Sequence, residues 1–142
     1  METKIGNFTV TTVEGYDKPE LPYYNEWLAA LRSGEYKQTK GILVNTTENS
    51  YCCLGVLLKV QGRLSEHGTD DIYSCTKTLS TLNPCYITLE ACGHLPAGAE
   101  VLDNLQGSIV HLAGLNDLGA SFEDIANIIE LLWKPKQSEN SQ

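Results

Sequence analysis

The segment Tyr36-Lys-Gln-Thr-Lys40 sets two cations beside a phenol and an amide, and Tyr51 brings a second phenol close behind. An ammonium holds an anion, an aromatic face stacks on a planar ring, and an amide pairs with hydrogen-bonding edges. The set suits an anionic, nucleotide-like small molecule. It equally suits an exposed edge strand guarded by lysines. Further along, Asn116-Asp117 interrupts an apolar stretch just before Gly119, where polar side chains cap backbone groups or face a cleft. A shared ligand site is therefore expected where Tyr36, Lys37, Gln38 and Lys40 meet Tyr51, Cys52, Asn116 and Asp117.

Thiols and imidazoles are the other reactive groups. Cys52 and Cys53 stand where a helix should begin, so the helix dipole could lower a thiol pKa, and His67, His94 or His111 could act as base. The plainer reading is two small buried thiols. Cys75, Cys85, Cys92 and His94 follow at intervals of ten, seven and two residues, whereas zinc ligands usually come in pairs two to four apart. No metal and no cofactor is expected. Five cysteines are an odd number, and the N-terminus Met1-Glu-Thr-Lys-Ile-Gly has neither the basic nor the apolar region of a signal peptide. Reduced thiols in a cytosol follow, and the Asn7 and Asn45 triplets then carry no glycosylation message.

Charge narrows the partners. Residues 1–60 hold six basic and seven acidic side chains, whereas residues 61–142 hold four basic and eleven acidic. No Lys or Arg occurs between Lys77 and Lys134. Such a surface repels phosphate backbones and anionic lipid, so neither a nucleic acid duplex nor a membrane is an expected partner. No apolar run reaches the ~18 residues of a membrane span. With 142 residues, 42% of them hydrophobic, one domain over residues 1–136 with a polar tail at 137–142 is expected.

The elements that must position these groups are legible in part. Phe8 to Val13 alternates and is β-branched, so residues 1–20 read as one strand and a loop. Tyr24, Trp27, Leu28 and Leu31 have helical spacing, with Pro22 before and Gly34 after, which predicts a helix over Tyr24–Arg32. Gly41–Asn45 and Ser50–Cys52 predict a hairpin. A helix apolar nearly all round, Cys53 to Gln61, should sit in the core and end at Gly62. Asp71–Cys75 and Cys85–Leu89 are strand candidates in an irregular middle. Ala99–Leu105 and Ser108–Leu118 read as helices closed by Gly107 and Gly119. Ser121 with Asp124 then forms a capping box for a helix bearing Phe122, Ile125, Ala126, Ile129, Leu132 and Trp133. Leu112–Ile129 has a helix-turn-helix outline, but its second helix opens Ser-Phe-Glu-Asp and offers a groove two carboxylates, so an α-hairpin is the better reading. The expected fold is α+β: a small antiparallel sheet or hairpin packed on a buried central helix, with a C-terminal helical hairpin.

Three segments carry a resemblance: Trp27-Leu-Ala-Ala-Leu-Arg-Ser-Gly-Glu-Tyr-Lys-Gln38, Tyr51-Cys-Cys-Leu-Gly-Val-Leu57 and Leu115-Asn-Asp-Leu-Gly-Ala-Ser-Phe-Glu-Asp-Ile-Ala126. In content and order they resemble a group of small proteins encoded by tailed phages and prophages, with W-x-x-A-L-R-S-G-x-Y-x-Q, C-C-L-G-V-L and L-N-D-x-G-x-S-F-x-x-I-A segments. The resemblance implies a phage setting and the host cell cytosol. The expected function is a non-catalytic accessory protein that counteracts a host process, anti-phage defence included, by binding a host protein or sequestering a small nucleotide signal. The partner is then that host protein or the anionic small molecule, and a homo-oligomer is compatible with it. The alternative is a small cysteine-dependent enzyme acting on a host metabolite or signal.

Overall fold

A computed structural model describes residues 1–40, 44–45, 47–61 and 94–136. The strands Glu2–Ile5 (β1) and Phe8–Thr12 (β2) form a hairpin in which Ile5 pairs with Phe8. Gly6 takes φ +58 at the first turn position, where the primed hairpin turns place glycine. The chain continues through Glu20–Leu21 (β3), the helix Tyr24–Arg32 (α1), and three short strands, Lys37–Gln38 (β4), Val44–Asn45 (β5) and Ser50–Tyr51 (β6). Next comes the helix Cys53–Val60 (α2), then Ala99–Asp103 (β7), Ser108–Ile109 (β8), the helices Leu112–Asp117 (α3) and Phe122–Leu132 (α4), and Lys134–Pro135 (β9).

These make an α+β fold. β1-β2-β7-β8 is an antiparallel sheet, β3-β9 a parallel pair, and β4-β6-β5 a mixed sheet in which β4 runs parallel to β6. The α2 helix is the buried centre: Cys53, Leu54, Val56 and Leu57 have no exposed surface. It packs between α1, α3 and β6. One cluster of buried side chains runs from Phe8 and Val10 through Trp27 and α2 to Ile125, Ile129 and Leu132.

Two expectations for the last third change. Ala99–Leu105 is not a helix, because Ala99–Asp103 forms β7. Its Val101 and Asp103 are buried toward one face while β2 supplies five registered partners, and that ready-made edge outweighs the helix-forming Ala, Glu and Leu. Ser108–Leu118 is not one helix either. Ser108 and Ile109 pair with Asp103 and Leu102, and the helix begins only at Leu112. At the N-terminus β1 joins the expected strand. The strand candidates at Asp71–Cys75 and Cys85–Leu89, the Gly62 stop, the first hairpin residues 41–43 and the tail lie outside the described residues.

Local chemistry sets the remaining boundaries. Ser121 Oγ accepts from the Asp124 N–H at 3.1 Å, as the capping box required. After α3, the Ala120 N–H donates to the Leu115 carbonyl and the Gly119 N–H to Asn116, a Schellman closure with Gly119 at φ +98. The end of α4 is capped from the loop before β3: Tyr16 Oη donates to the Leu132 carbonyl at 2.6 Å and Lys18 Nζ to Glu130 at 2.8 Å. Among the described residues no helix is long and apolar enough to cross a membrane.

Candidate functional site

Asn116 lies at the end of α3 with no exposed surface. Its Oδ1 accepts from Gln38 Nε2 at 2.9 Å and from the Cys53 N–H at 3.1 Å, and its Nδ2 donates to the Thr39 carbonyl at 2.6 Å. The amide can face only one way, because the Cys53 N–H demands an acceptor and the Thr39 carbonyl a donor. One side chain thus closes the N-terminus of α2, holds the chain leaving β4 and anchors both to α3. Gln38 Nε2 also donates to the Ala120 carbonyl at 2.8 Å, so the turn after α3 is tied to β4 as well.

The outer layer rests on this network. Tyr36 and Tyr51 are half-buried and meet edge to face, ring centres 5.2 Å apart and planes at 86°. The Thr39 N–H donates to the Tyr51 carbonyl at 2.8 Å, so β4 and β6 hold the two rings in fixed register. Lys37 and Lys40, in the same segment, are exposed, and Lys40 Nζ comes within 3.8 Å of where a Cβ on Gly119 would stand. Asp117 is exposed beside Asn116, whose Nδ2 reaches its Oδ1 at 3.4 Å. The structure therefore brings the expected residues together and divides them. Asn116 and Gln38 are framework, while Tyr36, Lys37, Lys40, Tyr51 and Asp117 present surface.

The thiols belong to the framework too. Cys52 is buried as the N-cap of α2, its Sγ accepting from the Gly55 N–H at 3.4 Å. Cys53 is fully buried, its Sγ donating to the Leu112 carbonyl at 3.6 Å while its own carbonyl accepts from Trp27 Nε1 at 2.9 Å. Burial pushes the Cys53 thiol well above the usual range, reinforced by Cys52 and Asp117, which favours the neutral thiol over the thiolate. Of the candidate bases, His94 and His111 contact each other, ring centres 4.5 Å apart. Partial desolvation and then the His94 ring hold His111 below the ordinary imidazole value.

A cleft of about 470 Å³ that no sequence motif marks opens between β1 and α4, lined by Thr3, Ile5, Lys18, Tyr24, Asn127, Glu130 and Leu131. Its residues come from four separate stretches of chain with no common spacing, so no local signal could have found it. Beside it, Arg32 Nη2 donates to Glu130 at 2.8 Å and to Asn127 at 2.7 Å, and Arg32 Nε lies 3.4 Å from Glu123. Burial and then the Glu130 carboxylate raise the Tyr24 phenol, with Arg32 opposing.

Comparison with known proteins adds one match. A family model described as "Domain of unknown function (DUF8296)" matches residues 23–132, the span from the start of α1 to the end of α4. No curated protein and no solved structure matches the chain.

Proposed function

The chain belongs to the DUF8296 family, whose function is unknown, and on that premise we propose that it is a non-catalytic binding protein for an anionic, nucleotide-like small molecule. The observation that carries this reading is the Tyr36–Tyr51 pair, edge to face and half-exposed in a segment that also exposes Lys37 and Lys40, beside the hydrogen-bonded amides of Gln38 and Asn116. Tyr51 stacks on the planar ring, Lys37 and Lys40 hold the anionic group, and Asp117 accepts hydrogen bonds from a base or sugar. Asn116, Gln38 and Cys52 keep this surface rigid, which lowers the ordering cost of binding. In a phage setting, which the three sequence segments suggest, sequestering such a molecule would blunt a host signal. The buried, protonated Cys53 and the capping role of Cys52 favour binding over cysteine chemistry.

Calorimetric titration with nucleoside monophosphates and cyclic dinucleotides tests the reading. Saturable binding is expected, weakened at least about tenfold by Lys37→Ala or Tyr51→Ala, with the melting temperature unchanged in Lys37→Ala. Absence of binding across both ligand sets, or full affinity in both variants, overturns it.

A further inference from the structure

His94 and His111 are separated by the whole β7–β8 hairpin, yet their rings meet with centres 4.5 Å apart and planes inclined by 46°. Both side chains are exposed, so each imidazole is free to turn. Their backbones are anchored. His111 stands in extended conformation at the start of α3, its carbonyl accepting from the Leu115 N–H at 3.0 Å, and Val110 before it donates to the Val101 carbonyl at 2.9 Å. Leu95, next to His94, packs against the core, and the Ala99 N–H closes a turn onto Pro96 at 3.1 Å.

We propose that His94 and His111 form a two-imidazole site for a borderline divalent transition-metal ion such as Zn²⁺. With metal–nitrogen distances of about 2.0–2.1 Å, two imidazoles on one tetrahedral ion have ring centres roughly 5 Å apart. The observed centres stand about half an ångström short of that separation, and rotation about the side-chain torsions of two exposed rings is the adjustment that would turn a nitrogen of each toward one ion. Imidazole nitrogen selects transition ions over Mg²⁺ and Ca²⁺, which require oxygen ligands. The negative net charge of the chain attracts the cation. Among the described residues no third His, Cys, Asp or Glu joins them in a cluster, and the two imidazoles are the donors to which the proposal commits. Bound there, the ion clips the approach to β7 onto the first turn of α3. This site is separate from the Tyr36–Tyr51 surface and does not depend on it.

The test is calorimetric titration of the full chain with Zn²⁺ at neutral pH, thiols kept reduced by a phosphine, alongside NMR of the histidine side chains. One saturable equivalent is expected, with no heat from Mg²⁺. His94→Asn and His111→Asn should each lower the affinity at least about tenfold, because the second donor of a chelate acts at high effective concentration. In the unmodified protein the His94 and His111 ring signals should shift together below one equivalent, a readout that holds even if a variant folds poorly. Absence of saturable binding, loss in only one of the two variants, affinity retained in both because thiols hold the ion, or unmoved ring signals would each overturn the proposal.

Discussion

At the scale of single residues, Asn116 and Ser50 are opposite cases of a buried polar side chain. Asn116 pairs with Gln38, the Thr39 carbonyl and the Cys53 N–H, and Asn116→Ala strands the buried Cys53 N–H and leaves the partly buried Thr39 carbonyl and Gln38 amide without that partner. Each stranded group costs about 1–3 kcal/mol, so urea denaturation should report a loss on the order of 3 kcal/mol. Asp117→Ala, at an exposed position, should cost under about 1 kcal/mol. The Ser50 hydroxyl is wholly buried yet makes no hydrogen bond among the described residues. Removing it breaks no hydrogen bond among the described residues, and Ser50→Ala should be neutral or stabilising in the same assay. A destabilisation beyond about 1 kcal/mol would mean that Ser50 has a partner after all. The sequence marked Asn116 as either a cap or a ligand contact. In the structure its amide caps a helix other than its own, accepting from the Cys53 N–H at the start of α2.

At the scale of elements, α2 was the most legible, because only Lys59 is exposed in its eight residues and a helix apolar all round has nowhere to sit but the core. Leu57→Ala should cost ~2–5 kcal/mol, and a measured loss under about 1 kcal/mol would place α2 at the periphery. The α1–α4 contact is of another kind: Arg32 bridges Glu123 and Glu130 at the surface. Its hydrogen bond holds the Glu130 carboxyl below the ordinary value of 4.5. A lowered carboxylate pKa stabilises the fold above its unfolded value, and that contribution disappears as pH falls through the folded value. With about half of the Glu130 side chain exposed, the contribution should stay below about 1 kcal/mol. Glu130→Gln should flatten the stability–pH curve below about pH 4.5, and high salt should do the same to the parent protein. Unequal slopes at low salt and equal slopes at high salt identify the pair. The elements misread from sequence, β7 and β8, are those whose conformation depends on a distant partner. Nothing within Ala99–Asp103 announces that β2 lies alongside.

At the scale of the whole molecule, the helix-turn-helix outline holds in element order, since α3, the Gly119 turn and α4 follow one another. The apolar face of α4 is committed to the core through Ile125, Ile129 and Leu132, and its outer face carries Glu123 and Glu130 under Arg32. Duplex DNA should show no salt-sensitive binding by fluorescence anisotropy at low ionic strength, where attraction is greatest. Micromolar affinity there would reopen the nucleic-acid reading. What the sequence determined by itself was whatever is encoded over a few residues: the Tyr24–Arg32 and Cys53–Val60 helices, the Ser121 cap, the Gly119 stop and the α+β class. Helical spacing, capping groups and positive-φ glycines act over one or two turns, so they can be read without the fold. Only the tertiary structure decided that Ala99–Asp103 is a strand, that Asn116 serves Cys53, that His94 meets His111, and that a cleft opens beside Tyr24. Each of these joins stretches of chain whose proximity comes from packing the shared core, and that proximity leaves no mark in local residue order.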